Sequence, residues 1–187
     1  WEKAFNLANG LKQERKGLMT QIMEATGLEK GGIYRHFRTK DEIAYASFDY
    51  YASMINTRLL EEVVKKENAV SKLITVIKTF QEIITSPNFT GGCPILNTTV
   101  ETDDKDPVFC GKVQDVVNSW QQLITETVNN GIKSGQIQPT VDPDALFSVI
   151  ISTMEGSVML SKLYNDPKYI NYSVNHLINY LEGSIRQ

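Results

Sequence analysis

Histidine and cysteine are nearly missing from this chain, with two of each: His36, His176, Cys93 and Cys110. Two cysteines are too few for a disulfide scaffold, and a reducing cytoplasm is the compartment such usage suggests. Two histidines leave little for metal ligation or acid–base chemistry. No phosphate-cradling glycine loop, no paired cysteine ligands and no nucleophilic serine elbow occur. An enzyme is therefore not expected, and no catalytic residue, metal or cofactor is assigned. No run of eighteen apolar residues occurs, so no membrane span is expected. The first residues lack a basic segment leading into an apolar stretch, so no signal peptide is expected. No Asn-Gly pair sits between alternating strands, which removes the strongest hairpin signal. Internal repeats and low-complexity tracts are absent too.

What is present is helical period almost everywhere. Apolar residues make up 41% of the 187, enough for a packed core. Met19, Ile22 and Met23 line a short helix ending near Gly27. Ile33 and Phe37 share a face of the next, about nine residues long. Thr39 and Glu42 read as a capping box, opening a long helix with Ile43, Phe48, Tyr51, Ile55, Leu59 and Val63 on one stripe. A helix with Val70, Leu73, Ile77 and Phe80 stops before Pro87. Cys93-Pro94, Asp106-Pro107, Asp142-Pro143 and Asp166-Pro167 each mark a helix start, because proline suits the first helical position. Residues 132–140 are expected to form an extended connection. The fold class is all-α, with a helix-turn-helix domain over 1–48 and a larger helical domain over 49–187.

Charge is unevenly spread. The net charge is −3, yet residues 1–48 hold eight bases against six acids, leaving −5 for the remainder. A DNA-facing end on an acidic body fits that asymmetry. Two short helices meeting at a turn with Gly27 have the geometry that lays a second helix in the major groove. That second helix is apolar at Ile33 and Phe37 and polar elsewhere. Lys30 and Arg35 can reach base edges or phosphates, and Tyr34 and His36 can donate to phosphate oxygens. Gly31 and Gly32 each cost roughly 1 kcal/mol relative to alanine inside a helix. Their bare backbone suits close approach to phosphate. Lys40, in the first turn of the next helix, can pin a phosphate.

The stretch from Ile22 to Ile43 resembles the DNA-binding signature of TetR-family (tetracycline-repressor-like) regulators. Glycine, lysine, glycine, tyrosine, histidine-phenylalanine and lysine fall at the matching spacings. The resemblance implies a ligand-responsive regulator, with Thr20, Lys30, Gly31, Tyr34, His36 and Lys40 at the DNA-facing positions. Gly17-Leu18 stands where the family usually has Thr-Ser. Glu29 replaces a common serine and Gly32 a common threonine or alanine; Glu29 can accept from a cytosine amine.

Beyond residue 48, Leu146, Phe147, Val149, Ile150, Ile151, Met154, Val158, Met159, Leu160 and Leu163 crowd one helix. It is apolar nearly all round, so burial on more than one side is expected. A homodimer through the last two helices, about 142–164 and 167–185, is the simple reading, and the resemblance implies the same. Gly156 and Ser157 would let helices approach closely. Expected ligand-binding residues are Phe80, Phe89, Cys93, Asn97, Trp120, Met154, Met159 and Tyr164, since pockets are mostly apolar with a few polar groups. Cys93 has two readings: a thiol activated at a helix start, or a buried small hydrophobe. Gly92-Cys-Pro-Ile-Leu-Asn97 resembles a motif in a subset of the family, some members of which sense electrophiles or oxidants. The expected function is a repressor released from operator DNA by a small-molecule or electrophile effector. The alternative is a dimeric helical adaptor that has lost DNA binding.

Overall fold

Seven α-helices carry most of the described chain; the computed structural model describes residues 23–24, 27–86, 92–102 and 106–187. We label them α1 (Lys30–His36), α2 (Lys40–Val63), α3 (Ala69–Thr85), α4 (Pro94–Thr102), α5 (Pro107–Lys133), α6 (Pro143–Tyr164) and α7 (Lys168–Tyr180). A π-turn, Leu181–Ile185, follows α7. Among the described residues no strand forms. The stretch expected to be extended over 132–140 contributes one isolated antiparallel bridge, Ile137 to Arg186.

Local chemistry explains the helix ends. Asp142 accepts from the N–H groups of Asp144 and Ala145 at 2.9 and 3.2 Å. Asp106 Oδ1 accepts from the Phe109 N–H at 3.0 Å. Each carboxylate satisfies donors that a helix start leaves open. Glu42 N–H donates to Thr39 Oγ1 at 3.1 Å, the first half of the expected capping box. The second half is shifted: the Glu42 carboxylate reaches back to the Arg38 N–H, one residue before the cap. Gly27 and Gly135 take φ of +68° and +67°, the left-handed region glycine enters without a Cβ penalty.

The chain divides into two compact units, residues 1–54 with 86–113, and 55–85 with 114–187. In the first, Ile33 and Ile43 are buried together, and Met23 and Phe37 pack against them. The Phe109 ring meets Tyr45 and Phe48 edge-on, at centroid distances of 5.0 and 5.4 Å. Tyr45 Oη donates to Asp106 Oδ2 at 2.8 Å, so Asp106 both caps α5 and holds α2. Lys112 Nζ lies 2.7 Å from Asp49 Oδ2.

In the second unit every helix buries a stripe spaced by three or four residues, as the helical repeat demands. Ile55, Leu59 and Val63 come from α2; Val70, Leu73, Ile77 and Phe80 from α3; Val116, Trp120, Ile124 and Val128 from α5. Leu146, Ile150, Met154 and Val158 come from α6, and Ile170, Val174 and Leu177 from α7. Gly131 sits so close to Ile137 and Ala69 that a Cβ there would lie 2.6 and 2.7 Å from their side chains.

Within the single chain α6 is covered on one side. Only one stripe is buried, and Val149, Met159, Leu163 and Tyr164 are 46, 54, 70 and 60% exposed. The single chain has too few helices to cover a cylinder that is apolar on several sides. Among the described residues α6 is also the one helix long and apolar enough to cross a membrane by length and composition, with 28% of its apolar window buried.

Candidate functional site

The helix expected to read DNA is α1, seven residues rather than the nine expected. Its N–H and C=O groups leave Glu29 as the N-cap residue, in extended backbone, with no capping bond from its side chain. Ile33 is the buried anchor of the helix. Everything the sequence assigned to DNA here except Gly32 and Lys40 is exposed: Glu29, Lys30, Gly31, Tyr34, Arg35 and His36, with Gly32 and Lys40 half-buried. Thr20 lies outside the described residues. Lys30 Nζ lies 5.9 Å from the Tyr34 ring centroid, so cation and phenol share one patch. Arg35 and His36 lie in the last turn, where cations also suit the helix dipole.

The two glycines of α1 are not demanded by packing. A Cβ on Gly31 would meet nothing within 4 Å, and one on Gly32 would touch only Leu28 at an ordinary 3.7 Å. Gly27 is different, because its positive φ makes the turn before α1.

Of the expected ligand residues, the structure brings three together. Phe80, Trp120 and Met154 line an apolar slot with Leu59, Val76, Ile77, Leu123, Ile124, Ile150, Ile151 and Glu155. The Phe80 and Trp120 rings stand edge to face, 6.0 Å apart. Trp120 Nε1–H donates to Asn56 Oδ1 at 2.5 Å, which satisfies the indole and leaves its ring to the slot. The space open to a water-sized centre is about 20 Å³, roughly one water molecule.

The other candidates do not join that group. Met159 and Tyr164 are exposed and absent from the slot; five residues beyond Met154, Met159 is turned well over a quarter of the way round the helix. Cys93 and Asn97 are buried in the other compact unit. Phe89 lies outside the described residues. The Cys93 side chain is fully buried and Cys110 is exposed, and neither is in a disulfide. Of the two readings of Cys93, the buried small hydrophobe matches this placement. Sequence reasoning missed Glu155, a charged residue within an apolar run. A wider groove of about 330 Å³ is lined by Gln138, Asp142, Val149, Tyr180 and Ser184 among others. Apart from half-buried Gln138, these five are surface residues, so it is open ground rather than an enclosed site.

A short, cation-bearing helix presented outward behind a glycine turn, on an all-helical chain, defines a helix-turn-helix DNA-binding regulator. Residues 69–177 match the family model described as "Tetracyclin repressor-like, C-terminal domain". The chain belongs to the TetR family of transcriptional regulators. It is similar to a TetR transcriptional regulator from Chloroflexus aurantiacus, with 37% identity, a TM-score of 0.87, and 99% of this chain and 95% of that one covered. It is 24% identical over 162 residues to the fatty acid metabolism regulator protein of Bacillus subtilis, covering 86% of this chain and 79% of the relative. The fold is also that of the Bacillus subtilis regulator FadR in complex with stearoyl-CoA, at 19% identity and a TM-score of 0.76, with 98% of both chains covered.

Proposed function

We propose that the chain works in the cytoplasm as a homodimeric repressor, reading operator DNA with α1 and releasing it when an effector enters the slot beside Trp120. Residues 1–48 would do the reading, and 49–187 the sensing and pairing. The observation that carries this is the outward display of Lys30, Tyr34, Arg35 and His36 on a helix anchored by one buried residue.

The exposed side of α6 supports the dimer. Val149, Ser152, Gly156, Met159 and Leu163 recur at alternating steps of three and four, the spacing of a helix–helix seam. Ser152 is exposed, and a Cβ on Gly156 would meet nothing within 4 Å. Small residues mid-seam let a partner helix come close, and Ser157, expected to help, is buried within its own chain instead. The charged Asp144, Glu155 and Lys162 on α6 favour an aqueous protein partner over a bilayer, where such groups are costly.

A slot with room for one water cannot receive an effector unchanged. Binding must push its walls apart, and an effector shifts the protein only as far as it prefers the widened form. Buried Cys93 gives an electrophile no entry in this form, so a reversible apolar ligand is the better-supported effector. The test is fluorescence anisotropy with the promoter region of the chain's own gene. Binding should be specific and should weaken steeply with salt, since each phosphate contact releases counterions. Equal affinity for random DNA, or a flat salt response, rejects operator reading. The adaptor alternative would show itself as a dimer that binds no DNA from its locus.

A further inference from the structure

On the reading that the Trp120 slot takes the effector, we infer that what enters the slot is the methyl end of an unbranched alkyl chain, with any polar group of the effector left outside. The lining is apolar throughout. Glu155, the one ionisable residue beside the slot among the described residues, adds no polar surface to it and has a partner within the protein. Every other lining residue is aliphatic, aromatic or methionine. The Trp120 indole N–H, the ring's one donor, is bonded to Asn56. A hydroxyl, amide or carboxylate brought against such a wall would lose its water and find nothing in exchange. A methyl group loses nothing there.

Depth gives the chain its direction. Phe80, Trp120 and Met154 are among the buried lining residues, whereas Val76, Leu123, Ile151 and Glu155 are half-buried and make the outer edge. A chain that passes the half-buried residues reaches the buried ones methyl first and leaves its other end in water. Width sets its shape. The slot admits one water-sized centre, about 20 Å³, and a polymethylene chain is the slimmest organic body that can widen it. A ring or a branch would have to displace more of a wall packed at interior density. Met154, unbranched and with three rotatable bonds, is the lining side chain most able to yield.

The experiment is calorimetry on the full protein with probes of equal carbon chain, each below its solubility or micelle-forming limit. Nonanol, nonanoate and nonyltrimethylammonium differ only in the end left in water, so their affinities should agree within about threefold, a charge in water being screened. Nonanediol, with a hydroxyl at each end, should bind about tenfold or more weakly than nonanol, because one hydroxyl must enter the slot. Cyclohexylpropanol, with the carbon count of nonanol but a ring at its end, should lose a similar factor of about ten. Trp120→Phe leaves Asn56 Oδ1 without its donor and opens space beside it, so the penalty against nonanediol should shrink to about threefold or less. The comparisons on the unaltered protein stand even if that variant fails to fold. Nonanediol or cyclohexylpropanol binding as tightly as nonanol, or one head group outbinding the other two about tenfold, overturns the inference and leaves the slot as an effector site. A nonanediol penalty unchanged in a folded Trp120→Phe puts the chain elsewhere and overturns it too. No binding by any probe overturns both, while anisotropy with operator DNA reports separately on the DNA-reading end.

Discussion

Two helices of this protein expose side chains to opposite purpose. On α1 the exposed side chains are Lys30, Tyr34, Arg35 and His36; on α6 the exposed large apolar side chains are Val149, Met159, Leu163 and Tyr164, beside Asp144, Ala145, Ser148, Ser152 and Lys162. Single exposed apolar residues need no explanation, but a seam of them on one helix does. Cations around a phenol suit a polyanion whose contacts are long-range and salt-sensitive. A dry apolar seam suits a surface of its own kind. A helix is thus read less by how much it exposes than by the chemistry of what it exposes.

The largest effect should come from the apolar side. Met159→Asp with Leu163→Asp should convert a dimer to a monomer in sedimentation and abolish operator binding. At about 1.5–3 kcal/mol per buried side chain, association weakens by roughly a hundredfold or more. An unchanged dimer would place the interface elsewhere and break the contrast with α1. Next comes the polar side. Lys30→Ala and Arg35→Ala should each cost about 1–3 kcal/mol of operator affinity, and a phosphate contact among them should lower the salt slope by about one. The mass of the assembly should not move.

Gly31→Ala sharpens the comparison, because stability and function should part. The added methyl meets open space, and alanine is favoured over glycine in a helix by about 1 kcal/mol. The free protein should melt slightly higher while operator affinity falls, if phosphate approaches the bare backbone. A variant that is stabilised and binds normally would make Gly31 incidental. The smallest effect is expected at Asp166, whose carboxyl is held below its ordinary range by the hydrogen bond from the Lys168 side chain, with the Lys168 N–H second. A carboxylate held low stabilises above its unfolded pKa, and that contribution is lost as pH falls through the lowered value. Asp166→Asn should therefore lower the melting temperature a little near neutrality, and the difference from the unaltered protein should close in acid. A difference that persists in acid would trace the effect to the hydrogen bond from the Lys168 N–H rather than to charge.

Much of this was legible residue by residue. The prolines at 94, 107, 143 and 167, with Asp106, Asp142 and Asp166, marked helix starts to within a residue, because capping is local chemistry. Gly27 marked the recognition turn because only a positive φ makes it. The sequence alone determined the helical class, where most of the helices start and the helix-turn-helix motif, since all three follow from spacing and short-range bonds. Tertiary structure alone decided which apolar faces find cover. It left half of α6 bare, buried Cys93, set Met159 outside the slot and put Glu155 in its wall. Those outcomes depend on which helices meet, and periodicity states only that a face wants a partner, never which one it gets.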